Sequence, residues 1–451
     1  MSTAPQLPAA RLSRLVPSRP DLPLALLALG LAAMQFVDLR IGLHGKPELW
    51  SFFLIGFTGL SLLCLPALLR RDALTRAGRV VLASGLVLFG WAFWSASQTI
   101  LPRILKPWVV IGRHYLFFPL ATAVVTMLAA WGLAAAIGGA RARQALWLGA
   151  VTITATTLLA GPRTMLARHS IRLGTGMGGA AIFHVVLLLC LGILLAAGLR
   201  GERRVVSLAG AALCAAGILL TGSRAGLACL LCFITLMVLL YGLRGHARLA
   251  GALLGGVAVL LGAVLAFVPG SSRLLTSGDL GRQANLATAL QAWQTSWENQ
   301  VFGIGSGRLW PWYAFETGLA PIPWRGLVQT GFGRAVTNPH SVFLGVLVEL
   351  GLLGMVPLLV LLGTVLVVAW RRWRALAAER GTAALADVLP LLAVVATIPA
   401  FLFDFYLFKN YAVSFWWWLV VALLLGVGGR RGVDPAPSTA DHHPTAGEEP
   451  A

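Results

Sequence analysis

The sequence predicts an all-α, polytopic membrane protein with about twelve transmembrane helices and one large loop on the outer face of the bilayer. Three observations lead to this fold class. Of the 451 residues, 58% are hydrophobic and only 11% are charged, with a mean hydropathy of +0.82, and no soluble core absorbs that much apolar surface. Apolar runs of about 18 or more residues recur from Leu22 almost to the C-terminus, each long enough to cross a hydrocarbon layer roughly 30 Å thick as a helix. The basic residues gather in short clusters between these runs, so the formal net charge of +19 reflects membrane topology. It does not form the single stripe that a nucleic acid would need, and no nucleic-acid partner is expected.

Residues 1–21 are rich in Pro and Arg and read as a cytoplasmic segment. No small-residue cleavage site precedes Asp38, so the run from Leu22 reads as an uncleaved first helix. The expected spans are 22–39, 50–69, 80–98, 115–138, 145–161, 179–199, 205–221, 225–242 and 249–268, which fill residues 22–268. A loop over 269–340 follows, then spans 341–370, 386–408 and 411–428 within residues 341–428. The tail 429–451, with its Pro, Asp, Glu and His, has the composition of a disordered cytoplasmic segment. With the N-terminus inside, the clusters Arg70 to Arg79, Arg141 with Arg143, Arg200 to Arg204, Arg244 with Arg248, and Arg371 to Arg374 all fall in the cytoplasm. All five cysteines lie in apolar runs, and the pair Cys229 and Cys232 is expected to pack and not to bind metal.

Other cations fall on the outer face against that bias, among them Arg103, Lys106, Arg163, Arg168, Arg172, Arg224, Arg282 and Arg308. Few acids share the surface, while Glu349 and Asp404 fall within spans. Such a surface suits an anionic ligand, because guanidinium forks match phosphate oxygens in two-point contacts.

The outer loop between Pro269 and Pro339 is long enough to carry function. Within it, Leu286, Leu290, Trp293 and Trp297 recur at helical spacing, so Gly281 to Asn299 is expected to be an amphipathic helix whose apolar stripe packs on the bundle or lies at the interface. The run Gly303-Ile304-Gly305-Ser306-Gly307 reads as a tight turn, not a nucleotide cradle, because no strand-then-helix context surrounds it. Trp310, Trp312, Tyr313 and Trp324 read as interface anchors.

Two short motifs flank this region. In Thr221-Gly222-Ser223-Arg224-Ala225-Gly226-Leu227, the glycines permit a tight turn and Arg224 joins a guanidinium to the positive end of a helix, an arrangement suited to a diphosphate. In Asn338-Pro339-His340-Ser341, proline fixes the chain's entry to a helix, and an imidazole near a helix N-terminus stays neutral and able to accept a proton. His340 is the candidate general base. No histidine pair has metal-ligand spacing and outer carboxylates are sparse, so no metal and no cofactor are expected.

These motifs, in this order, resemble the O-antigen ligase and polymerase group of bacterial membrane glycosyltransferases. The resemblance runs from the Thr221 to Leu227 turn, through Arg282, the Trp293 region and Val301 to Gly305, to His340 and the helix holding Glu349 to Gly354. Family members usually carry an aromatic residue or Asn after the histidine, where this chain has Ser341. The resemblance implies a bacterial inner-membrane enzyme with both termini cytoplasmic, a large periplasmic loop containing short helices, and a periplasmic active site. It implies His340 as the residue essential for transfer and Arg224 and Arg282 as diphosphate ligands, with Arg163, Arg168 or Arg172 assisting. The expected donor is an undecaprenyl-diphosphate-linked glycan and the expected acceptor is the lipid A-core oligosaccharide. An O-antigen polymerase or a protein O-oligosaccharyltransferase would use similar motifs, and a secondary transporter would also have twelve helices.

Overall fold

The computed structural model describes residues 22–36, 49–70, 73–99, 114–242, 245–248, 280–310, 327–330, 332–376 and 381–427, with scattered positions between 251 and 262. The described chain is mostly helical. In order come α1 (Leu22–Phe36), α2 (Leu49–Leu62), α3 (Arg76–Gln98), α4 (His114–Ile137), α5 (Ala142–Ala167), α6 (Phe183–Leu199), α7 (Arg204–Leu220) and α8 (Arg224–Gly242). The outer-loop region contributes α9 (Leu280–Gln294), α10 (Trp297–Phe302) and an antiparallel hairpin of β1 (Leu327–Thr330) and β2 (Gly333–Val336). Then come α11 (Val342–Ala375), α12 (Thr382–Ala386), α13 (Leu389–Ala396), α14 (Tyr406–Lys409) and α15 (Tyr411–Val421).

Among the described residues, six helices are long and apolar enough to cross a membrane: Arg76–Gln98, Leu116–Ile137, Gly139–Ala167, Arg224–Gly242, Val342–Ala375 and Ala384–Leu402. Five more apolar helices are shorter, at Leu22–Phe36, Phe53–Leu69, Phe183–Leu199, Arg204–Leu220 and Tyr411–Gly426. Together they overlap the expected spans other than 249–268, which lies largely outside the described residues, but only the six reach spanning length.

The expected span 386–408 stops short, at Leu402. Helix α13 gives way to a 3-10 turn at Ile398–Leu402, and α14 starts only at Tyr406. Pro399 has no N–H to donate and its ring crowds the carbonyl of Val395, which stops an α-helix there. The freed backbone groups are used elsewhere, since Phe401 O accepts from Ser341 Oγ at 2.9 Å and Asp404 O accepts from Val342 N at 3.1 Å.

The centre of the bundle is α6, buried from Phe183 to Gly198 and packed against α5, α7 and α13. Gly192 lets α13 approach at Leu389 and Ala393, a small-residue contact of the kind that holds helices together in lipid. Beside it α15 is buried from Ala412 to Val421, with Trp416, Trp417 and Trp418 filling the interior. Gly149 makes room for Trp416, and Trp417 Nε1 donates to Thr397 Oγ1 at 3.0 Å.

Helix α11 breaks at Gly351, whose φ of 67° is left-handed. The break strands three carbonyls, and three neighbours satisfy them: Val348 O accepts from Ile304 N at 3.0 Å, Glu349 O from Gly305 N at 3.1 Å, and Leu350 O from Trp91 Nε1 at 2.8 Å. The outer-loop elements thus dock on the first turns of α11. They share a small core of Ala289, Ala292, Ile304, Leu309, Trp310, Ala335 and Val348.

The expected helix from Gly281 to Asn299 is two helices, because Ser296 caps a new one by accepting from Asn299 N at 3.2 Å. The expected apolar stripe is only partly packed: Trp293 lies against this small core and Leu290 is half-buried. Asn285, Thr288, Ala289 and Ala292 are buried, while Leu286 and Trp297 are exposed.

Candidate active site at one end of the bundle

The bundle has two chemically different ends. At one, α5 begins, α6 ends and α12 leads into α13. There Arg143 and Arg200 share the carboxylate of Asp387, at 2.8 and 3.0 Å, and Arg200 also forks onto Glu202. At the other, α5, α7 and α3 end while α6, α8, α11 and α15 begin. The candidate residues Arg163, Arg168, Arg172, Arg224, Arg282 and His340 belong to this second end.

Arg172 lies in the loop after α5, where it is half-buried. Its Nε donates to Thr221 O at 2.8 Å, and Leu173 N donates to Leu220 O at 2.9 Å, so this loop is tied to the turn that precedes α8. Gly222 occupies the turn with φ 57° and the Arg172 side chain passes directly over it, so the close approach expected of that glycine is used by the chain's own guanidinium. Ser223 Oγ donates to Ala181 O at 3.1 Å and accepts from Gly226 N, which caps α8.

Arg224, the first residue of α8, is exposed, two residues after the Gly222 that Arg172 covers. Gly226 differs from its expected role as a turn residue. It is helical, and a side chain there would press on buried His184. Arg163 and Arg168 are exposed at the end of α5, where the Arg168 guanidinium lies beside Gly179 in the same loop.

His340 is half-buried and stands just outside α11, with Ser341 as the cap: Ser341 Oγ accepts from Leu344 N at 3.1 Å. His340 itself adopts φ 50°, a left-handed conformation rare for a residue with a side chain. It is held there from three directions. His340 N donates to Asn338 Oδ1 at 2.9 Å, Ser341 Oγ is anchored on Phe401 O, and Pro339 O accepts from Asn285 Nδ2 at 3.4 Å.

Asn285 is therefore central. Its Oδ1 accepts from Trp310 Nε1 at 2.8 Å and from Val336 N at 3.2 Å, while its Nδ2 reaches Pro339. Arg282, one turn earlier on α9, shares the face that carries Asn285. One buried amide thus ties α9, the helix that carries Arg282, to the His340 segment.

Trp310 is fully buried, not an interface anchor. Trp312, Tyr313 and Trp324 lie outside the described residues. Trp310 N and Leu309 N donate to Glu349 Oε1 at 3.1 and 3.2 Å, and Gly307 N donates to Oε2 at 2.9 Å. The turn through Gly303, Gly305 and Gly307, all at positive φ, is the tight turn expected, and its amides cradle the chain's own carboxylate.

No protein-family model and no curated protein matches the chain.

Two groups of candidates therefore share this end. One comprises Arg172 and Arg224 at the turn before α8, with Arg168 in the loop after α5 and Arg163 in the last turns of α5, and the other comprises His340, whose segment is tied to Asn285, and Arg282 on the same helix as Asn285. The segment Ile398–Phe403 lies between them, since it packs on α8 and accepts from Ser341. Sequence reasoning missed Asn285, Trp310 and Glu349 as supports. The detectable signal was Glu349, a lone carboxylate in an apolar run nine residues after His340.

Proposed function

We propose that this chain is a metal-independent, inverting membrane glycosyltransferase of the O-antigen ligase type, which moves a glycan from undecaprenyl diphosphate to the lipid A-core oligosaccharide. The observation that carries the reading is the gathering of Arg163, Arg168, Arg172 and Arg224 at the end where His340 is held in a strained, half-buried conformation. In this reading the end faces the periplasm, twelve helices span the inner membrane, and both termini are cytoplasmic.

The chemistry follows from the residue types. Arg224 and Arg282, helped by Arg163, Arg168 or Arg172, hold the donor's diphosphate. His340 takes the proton from an acceptor sugar hydroxyl as that oxygen attacks the anomeric carbon. The bond from that carbon to the diphosphate oxygen breaks, its electron pair leaves with the diphosphate, and the configuration inverts. Fixed guanidiniums stabilise the charge that develops on the leaving group, the role a divalent metal plays elsewhere.

The test is transfer in vitro from an undecaprenyl-diphosphate-linked glycan to purified rough lipopolysaccharide, with and without chelator. A positioned general base contributes ~10²–10⁴ in rate, so His340→Ala should lose at least that much. Each charge-assisted phosphate contact is worth roughly 1.5–3 kcal/mol, so Arg224→Ala should weaken donor use while Arg204→Ala, at the other end, stays near wild type. Equal losses at Arg224 and Arg204, or inhibition by chelator, would overturn the reading. Parallel arms with a second carrier-linked glycan and with an acceptor protein separate the ligase from a polymerase and a protein O-oligosaccharyltransferase.

A further inference from the structure

At the opposite end of the bundle a groove of about 550 Å³ opens between α5 and the turn joining α6 to α7. It is lined by Arg143, Gln144, Trp147, Leu148, Glu202 and Arg203. Its wall is rigidly built. Trp147 Nε1 donates to Ser207 Oγ at 3.0 Å, and Ser207 Oγ donates to Glu202 O at 2.9 Å, which ties the indole to the turn. Arg203 takes a left-handed φ of 44° after Gly201 at 81°, and this lays its guanidinium 4.0 Å over the Trp147 ring. Backbone strain of this kind is held in place where a side chain must be aimed.

The charges around the groove do not cancel. Glu202 is gripped by Arg200 through both carboxylate oxygens, at 2.8 and 3.2 Å, and Asp387 bridges Arg143 and Arg200. Among the described residues, no carboxylate pairs with Arg203 and no acceptor takes its N–H groups. A guanidinium stacked flat on an aromatic face directs its donors sideways, into the groove.

We infer that this groove binds the phosphate of an anionic glycerophospholipid from the leaflet surrounding that end of the protein. Arg203 and Arg143 take the phosphate oxygens, and Trp147 and Leu148 carry the glycerol and the start of the acyl chains. A lipid is favoured over a free anion because the apolar surface continues past the mouth: Val205 and Val206, directly after the arginine pair, are 82% and 52% exposed. Basic pockets between helices at the headgroup level recognise lipids in this way. The site is independent of the proposed transfer chemistry.

The experiment uses the full-length protein in detergent, washed free of co-purified lipid and then offered phosphatidylglycerol and phosphatidylcholine at equal concentration, with retained lipid read by native mass spectrometry. Wild type should retain phosphatidylglycerol over phosphatidylcholine. Arg203→Gln should lower that preference about fivefold, the equivalent of ~1 kcal/mol per cation at a charged lipid surface. Arg374→Gln removes a charge at the same end, where the guanidinium stands 5.9 Å from the Trp370 ring and outside the groove, and should keep the preference. Millimolar inorganic phosphate or glycerol phosphate should not displace the lipid. No preference in wild type, equal preference in wild type and Arg203→Gln, or displacement by inorganic phosphate would each overturn the proposal. The wild-type comparison stands even if Arg203→Gln does not fold.

Discussion

Asn285 shows how much a single amide can hold. It is 2% exposed and serves Trp310 Nε1, Val336 N and Pro339 O together. Asn285→Leu strands one buried and one part-buried donor, a buried one being worth ~1–3 kcal/mol, so thermal unfolding in detergent should show a loss of that order, and the proposed glycosyl transfer should fall with it. Asn285→Asp keeps the acceptor but, when ionised, cannot donate to Pro339. It should recover most of the stability and little of the turnover, and a variant equal to wild type in both would mean that His340 does not depend on this contact. His340 could be read from the sequence because Asn-Pro-His-Ser is punctuated by its own proline. Asn285 could not, since a polar residue on a polar loop helix looks like a solvated face until Trp310 is seen behind it. At the opposite end, the fork of Arg200 holds the Glu202 carboxyl below the usual carboxylate range. A depressed folded-state value means that the pair stabilises above the ordinary Glu pKa of ~4.3, and that this contribution is lost as pH falls through the lower value. Acid titration of the unfolding midpoint should therefore be shallower below that pH in Glu202→Gln than in wild type.

At the level of the element, α11 is the informative case. Its 34 residues would run ~51 Å as one rod, far longer than a bilayer core requires. Gly351 cuts it, leaving a short piece that begins at Val342 and a long remainder of spanning length. The backbones of Gly351 and Gly303 face one another so closely that a Cβ on Gly351 would overlap Val301 O and one on Gly303 would overlap Glu349 O. Gly351→Ala should lower the thermal midpoint by more than the ~1–3 kcal/mol of its left-handed backbone alone. A variant within error of wild type would show that the helix can straighten at no cost. Hydropathy foresaw most apolar helices because their patterns are long and uninterrupted. It carried the span 386–408 past Leu402 because an apolar average does not register what Pro399 does to hydrogen bonding. On α9 it captured the half-buried Leu290 and Trp293 but not the most buried positions, since small residues such as Ala289 and Ala292 mark the packed side and Leu286 faces outward.

Across the whole molecule, the separation of Arg143, Arg200 and Arg203 from Arg168, Arg172 and Arg224 was visible in the sequence, because loops alternate between ends whenever apolar helices succeed one another. Which outer cations would group was not visible, since it depends on the 168–182 loop folding back over Thr221. In a background with the five native cysteines replaced, a cysteine at 169 and one at 204 should react with a membrane-impermeant maleimide from opposite sides of intact membranes. Labelling of both from one side would refute the two-ended topology. The clasp on Glu349 has a consequence for dynamics. The amides of Gly307, Leu309 and Trp310 cannot swing into water without leaving a carboxylate bare in an apolar surround. These three protons should therefore trade for deuterium at the slow pace of the buried helices, making this turn one of the last stretches to exchange.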